Sequence, residues 1–243
     1  MKGIILAAGT ASRLRPLTDH TPKCLLTVGE KSILQRTIDN LIKNSVTDLV
    51  VVTGYLGEQV EGFIIDNYPY LKVELVYNQQ YAKTNNIYSL WLTKKFVVNH
   101  EILLLDSDIV FDRRVLGLLI NSEYKNCLAV KSTEKLSAEE IKISLHSDNS
   151  IAAISKEVDP QTAMGESIGI EKFSTGFVLK LFDVLDKMIL QENLNDIFYE
   201  AAFQRLIDNG AKLFPVSVGE LKCLEIDFVE DFEKAAQEVV FMK

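Results

Sequence analysis

A loop able to hold phosphate lies near the amino terminus. Leu6-Ala7-Ala8-Gly9-Thr10-Ala11 follows a short apolar run, and the chain continues through Ser12-Arg13-Leu14-Arg15-Pro16-Leu17 to Thr21-Pro22-Lys23. Small residues directly after a buried strand let backbone N–H groups approach an anion closely. Arg13 and Lys23 put two cations on the same loop. The glycine pattern GxGxxG of a dinucleotide-binding turn is absent, as is the Walker pattern GxxxxGK[ST], which argues against a nicotinamide-dependent dehydrogenase. Taken alone, the segment also fits a glycine-containing surface loop with stray cations. Further along, Leu103-Leu104-Leu105-Asp106-Ser107-Asp108 ends an apolar run on two acids. A carboxylate there costs free energy unless it has a partner, and a plain strand-end turn is the alternative. A second acidic stretch, Leu224-Glu225-Ile226-Asp227-Phe228-Val229-Glu230-Asp231, offers Asp227 either as a ligand or as a helix N-cap. Between these, Tyr77–Trp91 is dense in amides: Asn78, Gln79, Gln80, Asn85 and Asn86. Amides donate and accept, which is what reading a base edge requires; a solvated helix cap accounts equally well for Asn85 or Asn86. The three histidines (His20, His100, His146) stand in unremarkable places.

The run LAAG-x-x-SRLRPLT…TPK closely resembles the amino-terminal signature of the sugar-phosphate nucleotidylyltransferase family, which includes several cytidylyltransferases. That family usually has Gly where this chain has Ala11, so a loop requiring φ > 0 carries a modest conformational cost here. The resemblance implies nucleotide contacts from Leu6, Ala8, Gly9, Thr10 and Ala11, with Arg13 and Lys23 catalytic. It maps the family's metal-binding acid at the end of the central strand onto Asp108, with Asp106 as a supporting neighbour, and the late second ligand onto Asp227. Two carboxylates completed by water and phosphate oxygens suit Mg²⁺. The amide-rich stretch looks like the N-x-x-Y…NN-x-YSL segment of bacterial phosphocholine, inositol-phosphate and aminoalkylphosphonate cytidylyltransferases. That likeness implies CTP, with Asn78, Asn85 and Ser89 near the nucleotide. Ser155-Lys156-Glu157 stands where relatives have Glu-Lys-Pro, which gives Lys156 a catalytic role in holding the acceptor phosphate. Glu166, on a stretch resembling the relatives' acceptor-side strand, could accept from hydroxyls or pair with an amine, and Trp91 could lie near the acceptor. A quaternary ammonium calls for several aromatic faces, yet Glu134–Phe173 contains no Trp or Tyr and, among phenylalanines, only Phe173. An inositol or other polyol phosphate, or an aminoalkylphosphonate, is therefore expected ahead of phosphocholine. The implied reaction is CMP transfer from CTP with release of pyrophosphate. A phosphate monoester, with a second pKa near ~6, attacks the α-phosphorus without a general base. The alternatives are a uridylyl- or thymidylyltransferase acting on a sugar 1-phosphate, and a non-catalytic nucleotide-binding regulator of the same fold. The family suggests cell-envelope precursor synthesis.

These residues need elements to position them. Gly3–Ala8, Asp48–Thr53, Lys72–Tyr77 and Glu101–Asp106 are brief apolar runs, three almost without alternation, which suits strands buried on both faces of a mostly parallel sheet. Ser32 can cap a helix whose Leu34, Ile38, Leu41 and Ile42 share a face, and Gly57–Tyr68 and Asn86–Phe96 are helical in character. Strand–helix alternation of this kind gives an open α/β sheet with its ligand beyond the strands' carboxyl ends. After about residue 125 come short strands at Cys127–Lys131, Ile141–His146 and Ile151–Ser155, with a hairpin turn at Ser147–Ser150. Helices follow at Leu179–Gln191 and Asp196–Asn209, then a strand at Lys212–Val218 and a last helix from about Glu230. With the resemblance, the expected fold is an α/β, Rossmann-like three-layer sandwich carrying a small antiparallel acceptor-binding lobe. It forms one domain, with residues about 1–125 as the nucleotide half and 126–243 as the acceptor half. The 243 residues, 47% hydrophobic and with formal net charge −8, suffice for a large core and disfavour nucleic-acid or anionic-membrane partners. No apolar stretch reaches the ~18 residues of a membrane span, and three scattered cysteines fit neither zinc nor a disulfide framework. A cytoplasmic protein is expected.

Overall fold

The structure, a computed structural model, describes residues 1–132, 136 and 138–242. In chain order it runs β1 (Lys2–Ala7), β2 (Thr27–Val28), β3 (Lys31–Ser32), α1 (Ile33–Lys43), β4 (Asp48–Thr53), α2 (Gly57–Asn67) and β5 (Lys72–Tyr77). Next come α3 (Asn86–Leu92), α4 (Lys94–Val97), β6 (Ile102–Asp106), β7 (Ile109–Phe111), α5 (Arg114–Ile120), β8 (Cys127–Lys131), β9 (Lys142–Leu145) and β10 (Ile151–Ser155). The last third holds β11 (Gly165–Phe173), α6 (Thr175–Asp186), α7 (Glu200–Asp208), β12 (Phe214–Ser217), β13 (Cys223–Glu225) and α8 (Val229–Glu238).

The unbroken apolar runs do become strands covered on both sides. Ile4 and Leu6 of β1 enter one hydrophobic layer with Ile87 and Leu90 of α3, Phe177 of α6 and Phe203 of α7. The alternate residues Ile5 and Ala7 enter another, with Leu34 and Ile38 of α1, Val60 of α2 and Val115 of α5. Side chains alternate across a strand, so an all-apolar strand needs a helical layer on each face. Full burial of each such side chain contributes roughly 1.5–3 kcal/mol.

β5, β4, β1 and β6 form a parallel block, with Leu6 opposite Asp106 and Ala7 opposite Thr53. β11 runs antiparallel to β6, pairs with both β8 and β9, and so joins the β9–β10 hairpin to the same sheet. The small antiparallel lobe is thus built as an extension of the central sheet, and its outlying strand β12 is parallel to β8. Three helix limits depart from expectation. The expected helix at 86–96 breaks at Thr93, whose hydroxyl donates to Leu90 O. α6 starts at Thr175, capped by Ser174, and α7 starts at Glu200.

The small pair β7–β13 positions the late acids. Ile109 lies opposite Glu225, and Ile226 N–H donates to Asp108 O at 3.0 Å. A third cluster, including Leu14, Val110, Ile226 and Ala235, packs the amino-terminal loop against β7, the turn after β13, and α8. Cys24, Cys127 and Cys223 are buried free thiols. Among the described residues, no helix is long and apolar enough to cross a membrane.

Candidate active site

A cavity of about 660 Å³ opens at the carboxyl ends of β1 and β6. Leu6, Ala8, Gly9 and Ala11 line it from the amino-terminal loop, while Thr10 is not among its lining residues. The backbone N–H groups of Gly9, Thr10 and Ala11 donate to no other described residue. Ala11 adopts φ +47°, ψ +45°, the left-handed region, so the loop does ask this position for a conformation in which glycine is free of strain. Its carbonyl accepts from Thr18 Oγ1 at 2.9 Å, which pins the turn.

The two cations and the two expected acids meet here. Lys23 Nζ donates to Asp108 Oδ2 at 2.9 Å and to Asp227 Oδ1 at 2.8 Å. Arg13 reaches Asp227 Oδ2 at 2.6 Å, with its guanidinium 5.0 Å from the centroid of the Phe228 ring. Burial opposes the charge on Lys23, whose side chain is 12% exposed, but Asp108 and Asp227 more than offset it and raise the ammonium pKa. Burial likewise opposes charge on Asp227, and Lys23 and then Arg13 overcome it and hold the carboxyl below its ordinary value. Asp231 accepts from the N–H groups of Asp227 and Phe228, fixing the turn that aims Asp227 inward.

Glu225 is a third acid that the sequence reading passed over. Its carboxylate oxygen lies within 4.8 Å of those of Asp108 and Asp227, and the three form a group able to hold a metal ion. An all-carboxylate oxygen set is the donor chemistry of a hard divalent cation. Burial, then Asp108 and Asp227, push the Glu225 carboxyl up to about 8. The signal was its spacing: two residues before Asp227, Glu225 points to the same side of extended chain.

The amide-rich stretch is more structural than expected. Asn78 lines the cavity, but its amide group donates to Ser89 Oγ and Thr84 Oγ1, and its oxygen accepts from Gln80 N–H. Asn85 and Ser89 also line the cavity, and the Asn85 oxygen caps α3. Trp91 departs from expectation: it is not a lining residue, its indole N–H donates to Asp186 Oδ1 at 2.9 Å, and its ring packs on Tyr88. Two positions along a helix turn a side chain by about 200°. With Ser89 facing the cavity, Trp91 therefore faces away and joins α3 to α6.

Lys156 lines the cavity, 3.3 Å from Glu139 and 4.9 Å from the centroid of the Phe198 ring, and its charge also favours the ionised form of Asp227. Glu166 of β11 lines it too, its carboxyl pushed up mainly by burial. Within the segment Glu134–Phe173, residues 134, 135 and 137 lie outside the described residues. Beneath the site lies a buried acidic group that sequence reasoning saw only as Asp106. The Tyr199 hydroxyl donates its single proton toward Asp106 Oδ2 at 3.0 Å, with Glu171 Oε1 at 3.4 Å, and burial raises both carboxyls. Gly169 (φ +66°) permits this approach, because a Cβ there would stand 2.7 Å from Asp106 Oδ2. Asp106 ends β6, Glu171 lies on β11 and the adjacent pair Tyr199-Glu200 opens α7, so no local spacing connects the three places.

A family model described as nucleotidyl transferase matches residues 2–141. The chain is 27% identical over 241 residues to the choline-phosphate cytidylyltransferase of Streptococcus pneumoniae, covering 96% of each. It is 29% identical over 255 residues to the CTP:phosphoglutamine cytidylyltransferase of Campylobacter jejuni, covering 96% of this chain and 98% of that one. A solved structure of CTP:phosphocholine cytidylyltransferase from Streptococcus pneumoniae matches with a TM-score of 0.81 at 26% identity, over 98% of both chains. The Rossmann-like α/β fold, mostly parallel at its centre, is shared with it.

Proposed function

We propose that this chain, which belongs to the nucleotidyl transferase family, transfers CMP from CTP to a small acceptor bearing a phosphate or phosphonate and releases pyrophosphate. The observation that carries the reading is the meeting of Arg13, Lys23, Asp108 and Asp227 around one cavity at the end of the central strands. The cytidylyltransferase names of relatives matched along nearly the whole chain support CTP as the donor.

In this reading the first half of the chain, to about residue 125, binds the nucleotide and the second half binds the acceptor. The loop Leu6–Ala11 meets the triphosphate, offering the free N–H groups of Gly9, Thr10 and Ala11, with Arg13 and Lys23 balancing charge on it and on the departing pyrophosphate. Asn85 and Ser89 border the nucleoside, and Asn78 orders the loop that carries them. Lys156 holds the attacking phosphate or phosphonate in line with the α-phosphorus, and Glu166 borders the rest of the acceptor. That acceptor arrives as an anion, so alignment and charge neutralisation are the chemistry required of the protein. Asp108, Glu225 and Asp227 would hold Mg²⁺, which when bound supplies Lewis-acid polarisation of the α-phosphate.

The test is pyrophosphate release by the purified protein with Mg²⁺, comparing CTP, UTP and dTTP against aminoalkyl phosphates and phosphonates, polyol phosphates and sugar 1-phosphates. Release that needs both CTP and an acceptor supports the reading. Release with UTP or dTTP and a sugar 1-phosphate replaces it with the sugar-nucleotide alternative. No turnover with any pair removes the enzymatic reading.

A further inference from the structure

The cavity holds an acid with one carboxylate oxygen that no described residue pairs. Glu200, the first residue of α7, is 5% exposed and lines the cavity. Its Oε2 is closed off from solvent and has no hydrogen-bond partner among the described residues. The Ser167 hydroxyl, on β11 and lining the same cavity, is in the same condition. A buried carboxylate oxygen left unpaired is costly, so the site calls either for a proton on Glu200 or for a cation beside it. Burial pushes this carboxyl up to about 7, which leaves it poised between those two answers. The nearby Lys156 acts on Glu200 only through space, its ammonium being paired with Glu139 and lying over Phe198.

The kind of cation follows from what lines the cavity. Three aromatic residues do so, Tyr81, Phe198 and Phe228. Arg13 lies over Phe228, Lys156 over Phe198, and Tyr81 packs against Gly54 beside the phosphate loop. Among the described residues no aromatic cage is left for a methylated ammonium, which has no N–H and relies on such faces. The orphan oxygens of Glu200 and Ser167 are instead acceptors waiting for N–H donors. The end torsion of a glutamate is broad and two-fold, so its carboxylate turns toward a ligand at small cost.

We infer that the acceptor carries a primary or secondary ammonium besides its phosphate or phosphonate, and that Glu200 accepts its N–H with the Ser167 hydroxyl as second acceptor. This rests on the cytidylyltransferase reading and narrows its acceptor to an ω-aminoalkyl phosphate or phosphonate. Lys156 then takes the anionic end and Glu200 the cationic end.

The test uses the whole protein with CTP and Mg²⁺. The acceptors are ω-aminoalkyl phosphates and phosphonates of two to four carbons, their N-acetyl derivatives, phosphocholine and an inositol phosphate. The expected result is a kcat/KM for one of the free amines at least about tenfold above its N-acetyl derivative and above phosphocholine, the scale of one charge-assisted hydrogen bond. Glu200→Gln is expected to raise KM for the amine by about tenfold or more, with kcat and the KM for N-acetyl acceptors little changed. Equal use of charged and neutral acceptors overturns the inference, as does a Glu200→Gln loss shared by all of them. Transfer to neutral acceptors alone overturns it while leaving the cytidylyltransferase reading intact, whereas no transfer to any acceptor sinks that reading itself. The wild-type acceptor comparison decides the matter even if Glu200→Gln fails to fold.

Discussion

Replacing Lys23 by Met removes the one ammonium that bridges Asp108 and Asp227 while keeping most of the side-chain volume. Asp108, Glu225 and Asp227, with oxygens within 4.8 Å of one another, then face each other with Arg13 as the remaining contact, at Asp227. Breaking a buried ion pair by deleting one partner costs about 3–5 kcal/mol. Asp108 and Asp227 keep 26% and 25% of their side-chain surface exposed, so water repays part of that loss. The expected destabilisation in metal-free buffer is therefore about 2 kcal/mol, read as a shift in the urea midpoint at unchanged slope. Magnesium gives the sharper test. Lys23 occupies the oxygens that a divalent cation would take, so the variant binds the ion more tightly than the wild type. Stabilisation follows RT ln(1 + [L]/Kd), about 1.4 kcal/mol at a tenfold excess over Kd. Titrating Mg²⁺ should thus raise the variant's urea midpoint more than the wild type's, while nucleotidyl transfer stays at least about a hundredfold down for want of the cation on the triphosphate. A variant as stable as the wild type without metal, or one that magnesium stabilises no more than the wild type, would refute the account of the three acids.

Ala11→Gly relieves a left-handed residue (φ +47°) worth about 1–2 kcal/mol. Set against roughly 0.5–1 kcal/mol of extra chain entropy in the unfolded state, the variant should gain about 0.5 kcal/mol in urea unfolding; a loss would contradict the strain assigned to the loop. Trp91→Phe should cost about 1 kcal/mol through the lost bond to Asp186 and leave KM for CTP and acceptor within about twofold, so a KM effect would return Trp91 to the acceptor site. Glu200 has a folded pKa of about 7, above the 4.5 of an ordinary glutamate. The native state therefore binds more protons than the unfolded chain between these values, and ligand-free stability should fall as pH rises from about 5 to 8. Asp106 and Glu171, also raised by burial, add the same sign, and Lys156 works against Glu200's shift. Glu200→Gln should flatten the slope without abolishing it, and an unchanged slope counts against the burial argument.

Much of the fold could be read from local pattern. Ile4-Ile5-Leu6 and Leu103-Leu104-Leu105 feed opposite hydrophobic layers with successive residues, which is why they lacked alternation. Ser32 caps α1 as its spacing suggested, its hydroxyl accepting from Gln35 N–H. The start of α6 was hidden because Ser174-Thr175-Gly176 puts a β-branched residue and a glycine, both weak helix formers, in the first turn. The antiparallel strands were visible, but their union with the parallel block depends on β11 pairing with β6, a long-range choice that no local period encodes. At the site, Arg13, Lys23, Asp108 and Asp227 carried a motif and do come together. Thr10 and Trp91 belonged to motif-bearing segments but do not line the cavity. Glu200 and Ser167 reach the cavity only through the packing of α7 and β11, and their importance lies in unpaired atoms that a sequence cannot display.

The most direct measurement follows transfer of labelled CMP from CTP to an aminoalkyl phosphate, with Mg²⁺, for the wild type and for Asp108→Asn. The account predicts a labelled CMP–acceptor adduct formed with one equivalent of pyrophosphate by the wild type, and a folded Asp108→Asn protein that forms none. A wild type that leaves CTP untouched with every acceptor, or an Asp108→Asn variant of near-normal activity, would contradict it.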